Sequence, residues 1–412
     1  MGEWRTRPLS DFVDPDRSIC YGIVQPGSAV DNGVPIVRVN NFIESGVDTS
    51  NALKVDAQIE SKYRRSRLQG GELLITLVGS LGLTAIASEE LRGWNVARAV
   101  GVVPLRSDAD KRWINFVVRS KPAQDFIRMR ANTTVQATFN LKDLAELPIP
   151  CPPDSARIEM SAILSSLDDK IELNRRMSET LEAMVRAIFK DWFVDFGPTR
   201  AKMEGRARYL ASDIWSIFPD RLEEEGMPNG WELRPVGDFA ELRGGKQLEK
   251  QRITSIGVIP VFGGAGIMGF TDEHNAEGFV ISVGRVGAYC GQFFSHRGKA
   301  WINNNASQIR QLPGVSGEWL FQSLRHADIE VIKKGAAQPF VSNTDVSKMP
   351  IIWPGDRVVG GFADIAVPLM LKMEHNHKES SNLAETRDFL ISRLMSGEIR
   401  VKDAEKLVGE AT

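Results

Sequence analysis

The chain has 412 residues, 42% of them hydrophobic and 25% charged, and a formal net charge of −2 at pH 7. This composition is that of an ordinary globular protein with two or three domains. It excludes a chain that binds nucleic acid through its overall positive charge. No apolar run is long enough to span a membrane, and the N-terminus lacks an apolar signal segment. The cysteines lie outside any CxxC pattern, so we expect free thiols in a reducing compartment and a cytoplasmic protein.

Residues 1–150 have the pattern of a domain of mixed structure with short strands. Two short apolar runs, at 70–79 and 100–105, predict buried strands. The segment 112–130 carries its apolar residues on one side and predicts a helix. We therefore expect a first domain that combines helices with a small sheet.

A long helix is predicted within residues 151–199, after a proline-rich boundary. From Asp154 to Trp192 such a helix is about 60 Å long, at ~1.5 Å per residue. Its apolar residues follow the 3–4 spacing of a coiled-coil seam. The seam residues of this helix are Leu164, Leu167, Ile171, Asn174, Leu181 and Ile188. One small domain cannot cover a helix of this length, so we expect a second helix to pack on it.

The next segment, residues 200–230, predicts a linker because glycine and proline interrupt it. Residues 231–354 then predict a second mixed domain. Its strands are expected at 278–284 and 307–312, and its helix at 318–333.

Residues 355–412 predict a C-terminal long helix that copies the central one. Its seam residues are Ile365, Leu369, Met373, Asn376, Leu383 and Leu390. Asn174 and Asn376 lie at equivalent positions, and a buried asparagine pair can fix helix register. The alternative is that each asparagine is solvated where its seam slips. We expect the two helices to pack antiparallel and to relate the two domains by a pseudo-two-fold axis.

The second half of the chain repeats the first at a constant offset of 202 between residues 136 and 192. Gln136 then corresponds to Gln338. The glycine-containing run at 79–82 is matched with 284–287, an offset of 205. A period near 200 residues indicates a duplicated domain with its connector rather than a solenoid. The expected fold class is α+β, with two mixed α/β domains separated by two long antiparallel coiled-coil helices.

The sequence holds no convincing catalytic motif. The triplet at 195–197 spells a kinase metal-binding motif without its partner motifs. The glycine-rich run at 263–266 lacks the Gly-Lys-Ser/Thr of a P-loop. His375 and His377 are two residues apart and point away from each other on a helix. We therefore expect no catalytic residue, no metal ligand and no cofactor bound by this chain.

Basic and amide side chains cluster in both domains, and such side chains hold phosphates and read base edges. For any single cluster, a solvated loop is the alternative. Because both domains carry clusters, we predict DNA binding. The candidates are Arg38, Asn40, Asn41, Lys62, Arg64, Arg65, Arg67, Arg128, Arg130, Gln136, Lys246, Lys250, Arg252, Arg285, Asn303, Asn304, Asn305, Lys333, Lys334 and Gln338.

Several stretches resemble a known family. Segments 164–174 (LSSLDDKIELN), 189–196 (FKDWFVDF) and 394–399 (LMSGEI) resemble the helical repeats of specificity subunits of Type I restriction-modification enzymes. The stretch 136–144 resembles that family's junction between target-recognition domain and helix. Its copy at 338–345 departs from that pattern.

The resemblance implies a DNA-reading subunit that is not itself an enzyme. Each target-recognition domain would read one half of a bipartite sequence in double-stranded DNA. The helices would hold the domains apart and dock adenine methyltransferase subunits, which bind S-adenosylmethionine, and a motor-nuclease restriction subunit would complete the complex. Phe189, Trp192 and Phe193 are expected to be exposed and to contact the methyltransferase. The alternative is that they pack on the linker or the second domain.

Two other classes of protein remain open at this point. One is a protein-interaction scaffold that carries two ligand-binding domains on a coiled-coil spacer. The other is a stand-alone nuclease, which the lack of an acidic metal-binding cluster disfavours. DNA binding that weakens steeply with salt distinguishes the specificity subunit from the scaffold.

Overall fold

The computed structural model describes residues 4–43, 46–131, 137–255, 257–287, 289–335, 338–395 and 398–411. The chain forms two compact units. The first comprises Met1–Arg176 with His377–Thr412, and the second comprises Met177–Asn376. Both divisions fall inside long helices, so each long helix contributes to both units. No helix in the described ranges combines the length and the apolar character needed to cross a bilayer.

Two helices of 40 residues dominate the helical content. The helices in chain order are α1 (Ala57–Glu60), α2 (Lys111–Arg119), α3 (Lys121–Arg130), α4 (Leu141–Ala145), α5 (Asp154–Phe193), α6 (Gly197–Met203), α7 (Ser212–Ser216), α8 (Gly317–His326), α9 (Asn343–Lys348), α10 (Asp356–Met395) and α11 (Val401–Ala411).

The strands are short throughout. In the first unit they are β1 (Thr6–Pro8), β2 (Cys20–Tyr21), β3 (Val34–Val37), β4 (Phe42–Ile43), β5 (Gly46–Val47), β6 (Leu53–Val55), β7 (Leu73–Thr76), β8 (Thr84–Ile86), β9 (Asn95–Val96), β10 (Val100–Val103) and β11 (Pro148–Pro150). In the second unit they are β12 (Glu232–Pro235), β13 (Ala240–Gly244), β14 (Ile259–Gly263), β15 (Gly266–Thr271), β16 (Phe279–Gly284), β17 (Phe293–Arg297), β18 (Trp301–Ile302), β19 (Ala306–Gln311) and β20 (Pro350–Trp353).

The two units share one sheet topology. The first has a four-stranded sheet in the order β2-β10-β7-β8, a three-stranded sheet β6-β3-β9 and a pair β1-β11. The second has β13-β19-β16-β17, β15-β14-β18 and β12-β20 in the same roles. In each three-stranded sheet one pair is parallel, β3 with β9 and β14 with β18. The predicted duplication is therefore confirmed at the level of strand order and strand direction.

The strand registers correct one detail of the predicted repeat. Gly79 donates its N–H to the Ala137 carbonyl at 3.1 Å, and Gly287 donates equivalently to Pro339 at 3.0 Å. Gly79 therefore corresponds to Gly287, and the offset of 205 assigned to this run is wrong. The loop that follows differs in length by one residue, which an alignment on glycines alone cannot place.

The buried strands of each core are confirmed, but three predicted helices are wrong in extent. The helix expected at 112–130 is broken at Ser120, whose extended backbone separates α2 from α3. Pro122 follows in the first turn of α3, where a proline is tolerated. The helix expected at 318–333 ends at His326, and Ile329–Ile332 forms a separate 3-10 turn. The segment 355–412, expected to be one long helix, contains both α10 and α11.

In the first unit, the N-terminal part of α5 packs against the C-terminal part of α10. Arg387 donates to Asp168 at 2.7 Å, and Asn174 donates to Glu379 at 2.7 Å. Moving forward along α5 thus means moving backward along α10, so the predicted antiparallel packing is confirmed here. The buried apolar seam residues of this unit are Leu164, Leu167, Ile171, Leu383 and Leu390.

In the second unit, the remaining parts of the same helices also pack antiparallel. Asn376 donates to the Ser178 hydroxyl at 3.4 Å, and the rings of Phe189 and Phe362 lie 5.6 Å apart. Five seam residues here are only partly buried: Leu181, Ile188, Ile365, Leu369 and Met373. Asn174 and Asn376 are both buried, each with its own hydrogen-bond partner. The alternative of two solvated asparagines is therefore wrong.

The aromatic residues near the end of α5 form the core of the second unit. Phe189, Trp192 and Phe193 are only 3%, 1% and 2% exposed. Trp192 packs edge-on against Phe218 of the linker, with ring centroids 4.8 Å apart, and Phe193 lies 5.9 Å from Trp231. The expectation that these side chains are exposed for a partner is wrong. They pack on the linker and the second domain, because the linker folds back over the end of α5.

Candidate nucleic-acid interface

The loops that connect the strands of the first unit converge at one edge of its four-stranded sheet. Strands β2 and β7 end at this edge, and β8 and β10 begin there. Backbone hydrogen bonds tie the loops together: Leu77 donates to the Ala99 carbonyl at 2.7 Å, and Phe139 donates to the Leu77 carbonyl at 2.9 Å. The opposite edge leads instead toward α2, whose Trp113 ring nitrogen bonds the Pro150 carbonyl next to α5.

We define the first candidate surface by the exposed residues of these loops: Asn40, Ser80, Leu83 and Arg98. Asn40 follows β3, which runs parallel to β9 and ends at the same level. Arg98 occupies the turn between β9 and β10.

The second unit repeats this loop-bearing edge. Arg285 donates its N–H to the Asn305 carbonyl at 3.0 Å, and Val341 donates to the Arg285 carbonyl at 2.9 Å. These bonds match those of Leu77 in the first unit. We define the second candidate surface by its exposed residues, which are Lys246, Tyr289, Asn304, Asn305 and Gln338, together with the half-buried Arg285.

A glycine at the same place in each unit lets a loop cross the sheet edge. A Cβ on Gly22 would stand 1.9 Å from the Val96 carbonyl oxygen, and one on Gly245 would stand 2.0 Å from the Asn303 carbonyl oxygen. No side chain fits at either distance. The close crossing is therefore part of the duplicated fold, and it holds the loop after β2 or β13 against the neighbouring turn.

Many of the basic candidates are neutralised by carboxylates of the protein itself. The ion pairs are Arg67 with Glu60, Arg128 with Asp125, Arg130 with Asp143 and Glu146, Arg252 with Glu273, Lys333 with Glu330, and Lys334 with Asp345. The hydrogen bond from Lys334 and that from Ser342 hold the pKa of Asp345 below its usual value. Each of these six basic residues lies against a carboxylate of the protein, so it carries little net positive charge to a ligand.

Two amide candidates point inward. Asn41 is 3% exposed, and its side chain accepts from the Arg38 N–H at 2.9 Å and donates to the Asp48 carbonyl at 3.1 Å. Asn303 is 6% exposed, and its side-chain oxygen accepts a hydrogen bond from the Asn304 N–H at 2.8 Å. Both residues shape loops, and neither presents its amide to a ligand.

Other candidates remain available at the surface. Within the described ranges, no hydrogen bond or ion pair engages the side chains of Asn40, Lys62, Arg64, Lys246, Lys250, Asn304, Asn305 and Gln338. Lys62 and Arg64 lie on the 3-10 helix Ser61–Ser66, outside the first candidate surface, and Arg65 from the same helix bonds the Ser18 hydroxyl at 2.5 Å. Arg38 reaches the Asn51 carbonyl at 3.4 Å. Gln136 lies outside the described residues.

Arg98 is the basic residue of the first candidate surface that the sequence did not reveal. It is exposed in the turn after β9, and the matching turn after β18 holds Asn304. The backbone N–H of Ala97 donates to β3, and that of Asn303 donates to β14, each at 2.9 Å. These matching bonds show that Arg98 and Asn304 occupy equivalent positions. An alignment of NVARAV at 95–100 with WINNNA at 301–306 would have found it.

The metal-binding look-alikes of the sequence do not form a metal site in the residues that the structure describes. No group of three or more His, Cys, Asp or Glu side chains there could hold a metal ion. The triplet at 195–197 follows α5, and Phe196 has a left-handed backbone that starts α6. It is a helix boundary, as the absence of its partner motifs had suggested.

Several proteins of known type are similar to this chain. The Type I restriction enzyme MjaIX specificity subunit of Methanocaldococcus jannaschii is 23% identical over 369 residues, covering 81% of this chain and 78% of that protein. The HindI specificity subunit of Haemophilus influenzae is 25% identical over 340 residues, covering 66% and 72%. The EcoBI specificity subunit of Escherichia coli is 26% identical over 178 residues, covering 43% of this chain and only 35% of that protein.

A solved structure shares the fold. The crystal structure of the Type I restriction-modification S subunit from M. genitalium superposes with a TM-score of 0.53 at 17% identity, covering 95% of this chain and 96% of that one. At this identity the likeness concerns the fold alone.

The fold defines a protein of two duplicated units, each with an equivalent loop-bearing edge of its four-stranded sheet. A sequence model of the Type I restriction modification DNA specificity domain matches residues 3–183 and 228–356. The chain therefore belongs to the Type I restriction-modification DNA specificity family, and its role is to provide DNA sequence specificity.

Proposed function

We propose that each unit of this chain reads one half of a bipartite DNA sequence through the candidate surface defined above. The observation that carries the proposal is the repetition of one loop-bearing sheet edge with different exposed side chains. A scaffold that retains its framework and differs in its loops can bind different targets. Arg98 in the first unit and Lys246, Asn304 and Asn305 in the second are suited to phosphates and to base edges.

The proposal assigns no catalytic step to this chain. Adenine methylation, and the S-adenosylmethionine that it consumes, belong to a separate methyltransferase subunit, and cleavage belongs to a motor-nuclease subunit. The names of the relatives, which are specificity subunits of Type I restriction enzymes, support this division.

The methyltransferase is proposed to dock on the exposed apolar side chains of the long helices. In the first unit these include Leu173, 53% exposed, and Phe389, 45% exposed. In the second unit they include Met184 and Leu371, each 45% exposed. These residues replace the buried Phe189, Trp192 and Phe193 as the proposed contacts, because an interface needs apolar groups that the free chain leaves exposed.

A test of DNA binding is equilibrium titration of the full chain with a random-sequence duplex at several salt concentrations. Binding through phosphates predicts a log–log plot of affinity against salt with a steep negative slope. A protein-interaction scaffold predicts no such binding at any salt concentration. Selection from random duplexes then determines whether two separated sequence elements are enriched.

A test of docking is co-expression with the methyltransferase subunit of the same restriction system. Replacing Leu371 and Met184 by Asp should abolish co-purification while leaving the thermal unfolding of the free chain unchanged. Arg200→Asp provides a control, because Arg200 is exposed on α6 and lies outside both long helices. Retained assembly in the double Asp variant would contradict the proposed docking face.

A further inference from the structure

Arg285 stands where the other copy of the fold has a buried leucine. The backbone hydrogen bonds of Arg285 to Asn305 and from Val341 match those of Leu77 to Ala99 and from Phe139. Leu77 is fully buried and belongs to the core of the first unit. Arg285 is half-buried, at the edge where the loops of the second unit converge. The duplicated fold therefore does not need a charged side chain at this position.

The Arg285 guanidinium extends across the end of the sheet. Strand β19 lies between β16, which Arg285 follows, and β13. The Nη1 atom nevertheless lies only 3.8 Å from the position that a Cβ on Gly244, the last residue of β13, would occupy. Gly244 is exposed and has no side chain that could cover the guanidinium group from this strand.

This guanidinium group is not used by the described part of the protein. The buried Nε atom has no hydrogen-bond partner there, and no carboxylate forms an ion pair with the side chain. Hydrogen bonds fix both the backbone N–H and the carbonyl of this arginine, while its guanidinium group forms none in the described part of the chain. Such a side chain is preorganised to bind a ligand. Its immediate neighbours, Asn304 and Asn305, are exposed amides of the same surface.

We infer that Arg285 reads a guanine in the half-site of the second unit, through a bidentate contact with the O6 and N7 acceptors in the major groove. The inference rests on the proposed function and assigns one base to one side chain. The planar guanidinium group can donate two hydrogen bonds side by side to the two acceptors of guanine. Adenine presents only one acceptor in the major groove, so it can accept only one of these bonds. The first unit, with Leu77 at this position, has no equivalent contact, so the two half-sites are read by different residues.

The test is selection of random duplex DNA by the full chain and by three variants. Arg285→Leu introduces the residue that the first unit already accommodates, so folding should be retained, and thermal unfolding checks this. Arg285→Lys keeps the charge and removes the fork. Arg243→Ala is the matched control, because Arg243 is an exposed arginine of β13, in the same sheet, and pairs with Glu241.

The unmodified chain should enrich a two-part sequence. Arg285→Leu should lose preference for G·C at one position of one half, by about 10- to 100-fold, and leave the other half unchanged. Arg285→Lys should recover affinity without recovering this preference, and Arg243→Ala should keep the whole sequence. An unchanged sequence in Arg285→Leu, or a uniform loss of affinity for all duplexes, would overturn the inference. If the unmodified chain enriched no sequence, the proposed function itself would fail.

Discussion

Glu60 shows how a single buried carboxylate organises a loop-bearing region. It is 2% exposed and accepts from Arg67 Nε at 2.8 Å and from Asn95 Nδ2 at 3.0 Å. Asn95 also accepts from the Ser66 hydroxyl at 2.7 Å. This network joins the 3-10 helix Ser61–Ser66 to β9, and β9 leads directly into the turn that carries Arg98. The position of that turn therefore depends on Glu60.

The network predicts a pH-dependent contribution to stability. Arg67, more than any other group, holds the pKa of Glu60 below its usual value. A lowered folded-state pKa means that the contribution is present above the unfolded pKa of about 4.3 and is lost as pH falls through the lower folded value. Glu60→Gln should cost about 1–3 kcal/mol of unfolding free energy at neutral pH. The difference from the unmodified chain should shrink below pH 4, as measured by denaturant unfolding across pH.

The matched control for this prediction is Glu89→Gln. Glu89 also pairs with an arginine, Arg92, but its side chain is 73% exposed. Exposed pairs contribute about 0–1 kcal/mol. Equal effects of the two substitutions would contradict the role assigned to Glu60.

Arg98 provides a prediction about DNA affinity. If it contacts a phosphate on the first candidate surface, Arg98→Ala should weaken binding to all duplexes alike and lower the salt slope by about one. Arg92→Ala is the control, because this exposed arginine lies past β8, near the opposite end of the sheet. A salt slope that is the same for Arg98→Ala and the unmodified chain would remove Arg98 from the interface.

At the scale of elements, the end of α5 anchors the second unit. Trp192 is 1% exposed and lies edge-on to Phe218 and to Phe362, with ring centroids 4.8 Å and 6.2 Å away. Trp192→Ala should therefore cost about 3–5 kcal/mol of stability. Differential scanning calorimetry should show the loss in the free chain. Met184→Ala, on the exposed face of the same helix, should change stability little; a normal thermal transition in Trp192→Ala would contradict the assigned core.

The helix pair in the first unit contains a buried cation. Arg387 is 2% exposed and bonds both Asp168 and Asp388. Arg119 on α2 also bonds Asp168, at 2.8 Å, so this carboxylate joins the sheet domain to both long helices. Removing Asp168 takes away a carboxylate that both Arg387 and Arg119 bond, and losing one member of a buried ion pair is strongly destabilising. Asp168→Ala should cost about 3–5 kcal/mol, whereas Asp169→Ala, which removes an exposed pair with Arg112, should cost under about 1 kcal/mol. Urea titration of both variants measures the difference.

The sequence predicts elements better than it predicts which way their side chains face. The apolar spacing of α5 and α10 and the constant offset of 202 residues specify long helices and a duplicated domain. The same spacing does not reveal what covers Trp192, because that depends on a linker folding back. Asn40 and Asn41 are neighbours of the same type, yet one is exposed and the other buried. A one-residue difference in loop length likewise hides the true partner of Gly79, which only backbone pairing shows.

At the scale of the whole molecule, the two units keep one framework and differ in their exposed loops. Leu77 of the first unit corresponds to Arg285 of the second, and Arg98 of the first unit corresponds to Asn304 of the second. Each unit has its own sheets and its own core. The proposed function therefore places the determinants of each half-site within one unit. Specificity should therefore be transferable one unit at a time.

The most direct measurement of this claim is a domain exchange. Residues 1–150, the predicted limits of the first target-recognition domain, are replaced by those of another family member, and the chimera is expressed with the methyltransferase of its own system. Sequencing of methylated adenines in the host DNA then gives the recognised sequence. The account predicts that one half of the bipartite sequence changes and the other half is retained. A change in both halves, or in neither, would contradict it.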